Sequence, residues 1–212
     1  MKNRAGFSGL LFGVLVLCAV AAGGCRSKTP VSFYTLSPIS VSEEIGVTSE
    51  NAPIIGVGPL LFPDYLNRLQ VVTRPNPGRV HFSEFNRWAG FLDKEFLKTV
   101  AENLSLLLGT PQVRVYPWGG VTEPEYRVAL DVKQFEGNPG ESVRLNVVWT
   151  LRFLENDAPG QIIRRSIIVE PVSGDGYDLF ISAHSRAVET LSREIADTIR
   201  NLGTPGVTEP IL

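Results

Sequence analysis

Tyr126-Arg127-Val128-Ala129-Leu130-Asp131-Val132-Lys133 places Tyr126, Val128, Leu130 and Val132 on one side of an extended chain. Arg127, Ala129, Asp131 and Lys133 fall on the other side. After Gly137-Asn138-Pro139-Gly140 the pattern resumes, with Val143, Leu145, Val147, Trp149, Leu151 and Phe153 alternating with polar neighbours. Period-two alternation is the signature of a strand with one buried face. The Gly-Asn-Pro-Gly tetrad reads as a tight turn. A second turn at Asn156-Asp157-Ala158-Pro159-Gly160 leads into another extended run, Gln161 to Val169. Together these predict a three-stranded antiparallel meander with one apolar face.

That face needs a cover. Phe91 to Leu108 carries Leu92, Phe96, Val100 and Leu104 at intervals of four, closed by Gly109 and Pro111. A second stripe, Phe180, Ala187, Val188, Leu191, Ile195, Ile199 and Leu202, predicts a helix from about Tyr177 to Leu202, closed by Gly203. Further strands are read at 32–37, 53–61, 69–73, 79–82 and 112–116, with a hairpin turn at Pro75-Asn76-Pro77-Gly78. Ser83 reads as an N-cap and residues 84–89 as a first helical turn or two. Two long helices against roughly seven strands give an α/β (α+β) two-layer sandwich. It has a mixed sheet, an antiparallel meander and both helices packed on it. Residues 31–203 are read as one domain and 204–212 as a mobile tail rich in Pro and Gly.

Composition narrows the function classes. The chain has 212 residues, 43% hydrophobic and 20% charged, with 20 basic and 22 acidic side chains. Nothing in that balance points to nucleic acid. Two Cys and two His are too few for a zinc cluster or an iron–sulfur site, so no metal or cofactor is expected.

The N-terminus is an address. Lys2 and Arg4 precede an apolar stretch from Phe7 to Ala22, and Ala22-Gly23-Gly24-Cys25 follows. This is the layout of a secretory signal with small residues before the cut. The stretch is about 16 residues, short of the roughly 20 a spanning helix needs. Cys25 directly after small residues resembles a bacterial lipobox, in which the thiol is acylated and becomes the first mature residue. Residues 1–24 are then signal peptide and 25–30 a lipidated tether. Removal of 1–24 takes away Lys2 and Arg4 and no acid, which leaves 18 basic against 22 acidic side chains, a charge near −4. Such a body is not held at an anionic surface by net charge, so the lipid must hold it. Arg26 follows the Cys; the sorting rules of enterobacterial lipoproteins, by resemblance, then direct it to the outer membrane.

Catalytic signatures are not found in the sequence: no Walker loop, dinucleotide fingerprint, Gly-x-Ser-x-Gly elbow or His-Glu-x-x-His motif. His81, beside Ser83 and Glu84, reads as a surface or structural residue, and His184, between Ser182 and Ser185, as a solvent-facing one. Glu43-Glu44 reads as solvated loop charge. Asn103-Leu104-Ser105 is discounted as a glycosylation site because it lies mid-helix. The aromatic groups Phe82, Phe85, Trp88 and Phe91 read first as core at a helix entry. Trp118, between Pro117 and Gly119, reads equally as buried or interfacial. Arg87, Trp88 and Trp118 are the candidate partner-binding residues.

Three segments together resemble the PqiC/YmbA-type lipoproteins, the auxiliary lipoprotein components of ABC-type transport systems that carry MCE proteins. They are Phe33-Tyr34-Thr35-Leu36, then Val57-Gly58-Pro59 through Pro63-Asp64-Tyr65-Leu66-Asn67-Arg68-Leu69-Gln70-Val71-Val72-Thr73-Arg74, and Phe85-Asn86-Arg87-Trp88-Ala89-Gly90-Phe91-Leu92. In the third, Gly90-Phe91 stands where the family often has Glu-Pro. The resemblance implies a non-catalytic subunit that docks the far end of an MCE-protein assembly at the outer membrane. It also implies, through the ring symmetry of MCE proteins, a homo-oligomer. An independent lipid-binding carrier and a lipoprotein enzyme or cell-wall-associated protein are the competing readings.

Overall fold

The computed structural model describes residues 30–40, 53–118, 123–155 and 158–203. The signal peptide, the tether up to Thr29, the acid pair at 43–44 and the C-terminal tail lie outside these residues. Val31–Leu212 is a compact unit of its own. Its strands are β1 (Ser32–Tyr34), β2 (Ile55–Leu61), β3 (Gln70–Asn76), β4 (Arg79–Trp88), β5 (Val113–Val115), β6 (Tyr126–Asn138), β7 (Ser142–Glu155) and β8 (Ala158–Pro171). Its helices are α1 (Leu92–Leu108) and α2 (Tyr177–Gly203).

The meander forms as its alternation requires. β7 pairs antiparallel with β6 from Arg127↔Arg152 to Asn138↔Ser142, and with β8 from Ser142↔Pro171 to Glu155↔Ala158. β6 carries the rest of the sheet on its other edge, and two strands share that edge. β2 runs parallel to its first half, Ile55↔Tyr126 to Leu61↔Asp131. β3 meets its last turnward residues, parallel, at Thr73↔Gly137. β5 extends the sheet beyond β2, while β4 and then β1 extend it beyond β3. The result is one mixed eight-stranded sheet.

Val143, Leu145, Val147, Trp149 and Leu151 of β7 and Val128, Leu130 and Val132 of β6 turn one way. They meet Phe180, Ala187, Val188, Leu191 and Ile195 of α2, while Phe96, Val100 and Leu104 of α1 complete the same cluster. The core runs from Leu36 to Ile199, so the body holds its own apolar centre. Trp149 Nε1 donates to Ser166 Oγ at 3.0 Å, which satisfies the one polar atom of that ring.

Several expectations change. Residues 84–89 are not helical; β4 continues to Trp88 because β1 pairs with its end, Ser32↔Asn86 to Tyr34↔Trp88. Ser83 caps no helix: it is buried in β4, where its Oγ accepts from the Asn86 N–H at 3.2 Å. α1 starts instead after Phe91, an extended residue with no side-chain cap, and Asp93 and Glu95 in its first turn favour the helix dipole. Its end is as read, with Gly109 left-handed at φ 62°. Asn103 is buried and structural: its Nδ2 donates to Ser192 Oγ at 3.2 Å and its Oδ1 accepts from the Ile39 N–H at 2.9 Å.

The place where β6 changes neighbours is built around a buried acid. The pairing with β7 skips a residue between Val132 and Gln134, and this bulge shifts the inward parity to Phe135. Glu136 then faces away from the helices yet is 0% exposed. Its carboxylate accepts from Arg74 Nε at 2.5 Å, Tyr65 OH at 3.0 Å and its own neighbour's N–H, that of Phe135, at 3.1 Å. Burial, reinforced by the Glu136 charge, pushes the Tyr65 phenol up. The hydrogen bond to Glu136 holds Arg74 above its ordinary value. Removing one member of such a pair leaves a charge uncompensated, so Arg74→Ala is expected to cost about 3 kcal/mol of unfolding free energy. Adding Glu136→Gln to Arg74→Ala is expected to restore part of that loss. Urea unfolding of the four members of the cycle measures this, and an Arg74→Ala protein as stable as the parent contradicts it.

Candidate functional site

The two histidines end up far apart in chemistry. His81 is exposed on β4, opposite Thr73 of β3. His184 is not at the surface as the neighbouring serines suggest; it is buried in α2. Its ring packs edge-on against Phe180, Phe135 and Trp88, with centroids 4.5, 4.8 and 5.6 Å away. Its Nδ1–H donates to the Phe180 carbonyl at 2.9 Å, which fixes the neutral tautomer. Among the described residues no group of three or more His, Cys, Asp or Glu could hold a metal ion.

Two of the clefts formed by the described residues bear on a ligand site. One, of about 480 Å³, lies between Leu36 and Pro38, the α1 face of Lys98 and Glu102, and Val113 and Val115 of β5. The other, of about 590 Å³, lies where Glu123, Glu125 and Arg127 approach Arg152, Phe153 and Gln161. Arg127 Nη2 donates to Glu123 at 2.7 Å, so that charge is answered within the cleft wall. Neither cleft gathers the convergent, buried polar groups that a small-molecule site uses.

The candidate contact residues separate. Trp88 is 1% exposed and belongs to the core. Arg87, its neighbour, turns the other way; it stands opposite Phe33 of β1 and Gln70 of β3, and its Nε donates to the Glu84 carbonyl at 3.3 Å. Trp118 folds back on β2. Its ring lies where a side chain at Gly56 would have to be, 2.6 Å from the nearest ring atom, which explains the glycine. Tyr116 packs edge-on against it at 5.3 Å and the Arg127 guanidinium sits 5.5 Å from its centroid. β4 belongs to the arm that meets β6 at Gly137 and β5 to the arm that meets it from Tyr126 to Asp131, so Arg87 and Trp118 do not form one site.

Of the aromatic group read as core, Trp88 is buried and Phe82 partly so, but Phe85 and Phe91 are exposed, and two groups of exposed apolar side chains stand out. Phe33 and Phe85 are exposed at the β1–β4 edge. Ile163, Ile167 and Val169 are exposed along β8, whose far edge has no strand partner among the described residues. The odd-numbered aliphatics of β8 were visible in the sequence as the outward half of a strand too apolar for solvent.

A mixed sheet under two helices defines the body as a two-layer α+β protein. Within that class the chain belongs to the ABC-type transport auxiliary lipoprotein component family, which matches residues 34–196. It is 25% identical over 190 residues to proteins named Intermembrane transport lipoprotein PqiC from Escherichia coli (strain K12) and Shigella flexneri. Those alignments cover 89% of this chain and 97% of each relative. A solved structure of an uncharacterized protein shares the fold at a TM-score of 0.64 and 22% identity, covering 80% of this chain and 99% of that one. A Xanthomonas campestris protein does so at a TM-score of 0.59 and 16% identity, covering 81% and 96%.

The buried histidine makes stability depend on pH. Burial pushes the His184 imidazole down from 6.5 to about 4, against the opposing pull of the Phe180 carbonyl. Between those values the unfolded chain binds the proton and the folded one does not, so this contribution is full above pH 6.5 and is lost as pH falls. The loss by pH 5 is about 2 kcal/mol. Urea midpoints at pH 7 and pH 5 measure it. His184→Phe, which keeps a ring in the aromatic cage, is expected to flatten the difference; an equal slope in both proteins contradicts the assignment.

Proposed function

We propose that this chain is a lipid-anchored, periplasm-facing docking subunit of an MCE/ABC-type lipid transport system at the outer membrane. It is non-catalytic, works as a homo-oligomer and supports envelope integrity. The observation that carries the reading is the family match over 34–196, placed behind the lipobox Cys25. The relatives' name, intermembrane transport lipoprotein, gives the class of process. A short tether keeps the body beside the bilayer, and a conduit across the periplasm needs a fixed terminus there. The layer between sheet and helices is filled by Trp88, Phe96, Phe135, Trp149 and Phe180, which favours a dock over a carrier with an internal lipid cavity.

Trp118, supported by Tyr116 and Gly56, is the position proposed to meet a protein partner. The Arg87–Trp88 region, with Arg87 outward and Trp88 holding its strand from beneath, is proposed as a contact on the membrane side of the body and not with the protein partner. The test is a pull-down of the body, residues 26–212, against the periplasmic part of an MCE protein from the same organism, with mass measured in solution. A stable complex with an oligomeric body is expected. A monomer that binds no MCE protein and elutes with phospholipid moves the assignment to an independent carrier. In cells, Cys25→Ala is expected to shift the protein from the membrane to the soluble fraction; retention after residues 1–24 are also removed contradicts the lipid anchor.

A further inference from the structure

The β1–β4 edge carries an apolar face with a cation beside it. Val31, Phe33 and Phe85 are 40%, 64% and 46% exposed. Phe33 stands opposite Arg87 in the parallel ladder, and Phe85 lies two residues before Arg87 on the same strand. Their alternates, Tyr34 and Trp88, turn inward, so the outward position of Phe33 is set by the register and not by a loose end. Arg87 makes no ion pair among the described residues; its one hydrogen bond is to a backbone carbonyl. β1 has only three residues, too few backbone groups to recruit another strand strongly. What this edge offers a partner is therefore its side chains.

Chain length decides which partner. Val31 follows Cys25 by six residues, a reach of at most about 20 Å when fully extended. With Cys25 acylated, this edge stays within that distance of the bilayer. Arg26 and Lys28 lie in the same short tether and give it positive charge. Aromatic side chains with flanking cations suit the headgroup boundary of a membrane. The aliphatic row on β8 has no such covalent tie to any surface.

We propose that the β1–β4 edge is a membrane-docking face. Val31, Phe33 and Phe85 enter the headgroup region of the bilayer that holds the anchor, and Arg87 meets lipid phosphate. The proposal rests on the reading of Cys25 as the anchor, and it makes the body a two-point attachment with fixed orientation in place of a loosely tethered particle.

The body carries its own core and lacks cysteine once residues 1–25 are removed, so a single cysteine can be introduced and labelled. Phe33→Cys, Phe85→Cys and, as a comparison at an equally exposed apolar position, Ile163→Cys each receive the fluorophore NBD. A histidine tag before Arg26 binds the body to vesicles of phosphatidylethanolamine and phosphatidylglycerol containing nickel-chelating lipid, which does not depend on acylation. Doxyl-labelled lipid is expected to quench the labels at 33 and 85 at least about twofold more than the label at 163. Equal quenching at all three positions, or none at 33 and 85, overturns the proposal. So does an emission shift at 33 that grows with protein concentration without vesicles, since a second copy then covers the face. Flotation of the full acylated chain tests the anchor separately. If flotation fails while quenching at 33 and 85 holds, the anchor reading falls and the face stands. If flotation holds without quenching, the face alone falls.

Discussion

One carboxylate holds the two arms of the sheet in place. β6 must serve β2 along its first half and β3 at its end, and the second junction has a single paired position, Thr73↔Gly137. That ladder alone could slip. Glu136 prevents it, because a buried carboxylate has to be met by fixed donors. It takes Arg74 from β3 and Tyr65 from the turn ahead of β3, and Asn138 Nδ2 adds a bond to the Arg74 carbonyl at 2.8 Å. A buried ion pair adds little net stability over apolar packing, but separating its members is costly. A slipped β3 would strand the charge, so the pair acts on register. β4 and β1 hang from β3, and their position follows from it.

The helices depend on the same region from the other side. Phe135, the neighbour of Glu136, packs edge-on against Phe96 of α1 at 5.2 Å and against His184 of α2. The bulge before it therefore does two things at once. It turns Phe135 into the layer shared by both helices, and it turns Glu136 toward the strand arm. An imidazole in this aromatic layer is tolerated because one nitrogen is satisfied by its own helix, at the Phe180 carbonyl, and because burial keeps it neutral.

The meander and both helix stripes were legible because each is a local, one-sided pattern. Tyr126 to Val132 and Val143 to Phe153 alternate without interruption, and α1 repeats Leu92, Phe96, Val100 and Leu104. What was not legible depends on partners far along the chain. Residues 84–88 looked like a helix start because Ser83 and the nearby acids imitate a cap. They are strand because β1, more than fifty residues earlier, pairs with them. His184 was read from its serine neighbours, although it lies four residues after Phe180 and four before Val188, in phase with the buried stripe. Glu136 was hidden by the bulge: counting in twos from Val132 does not reveal which residue turns inward after an extra residue. For the candidate contacts, alternation on β4 already separates Arg87 from Trp88, whereas the fold of Trp118 onto Gly56 leaves no trace in the local pattern.

The strand order also bears on how a docking protein can face two ways. β2 pairs with β6 as far as Asp131 and β3 pairs with it at Gly137, so the arm ending in β5 and the arm ending in β4 and β1 meet β6 six residues apart, roughly 20 Å along that strand. The end at β1 and β4 is the end to which the tether connects. The end at β5 leads into Tyr116 and Trp118. A tethered body that could roll freely would present either end to the bilayer and to a partner in turn. Held at the surface as proposed, Phe33 and Phe85 would remove that freedom and leave the Trp118 arm free for the partner. The orientational constraint would then be met before the partner arrives, and docking would lose less freedom than it does from a flexible tether. On this argument the exposed aromatics near the anchor are not an oversight of an otherwise well-packed body. With the proposed anchor at Cys25, which fixes only position, they would also fix direction.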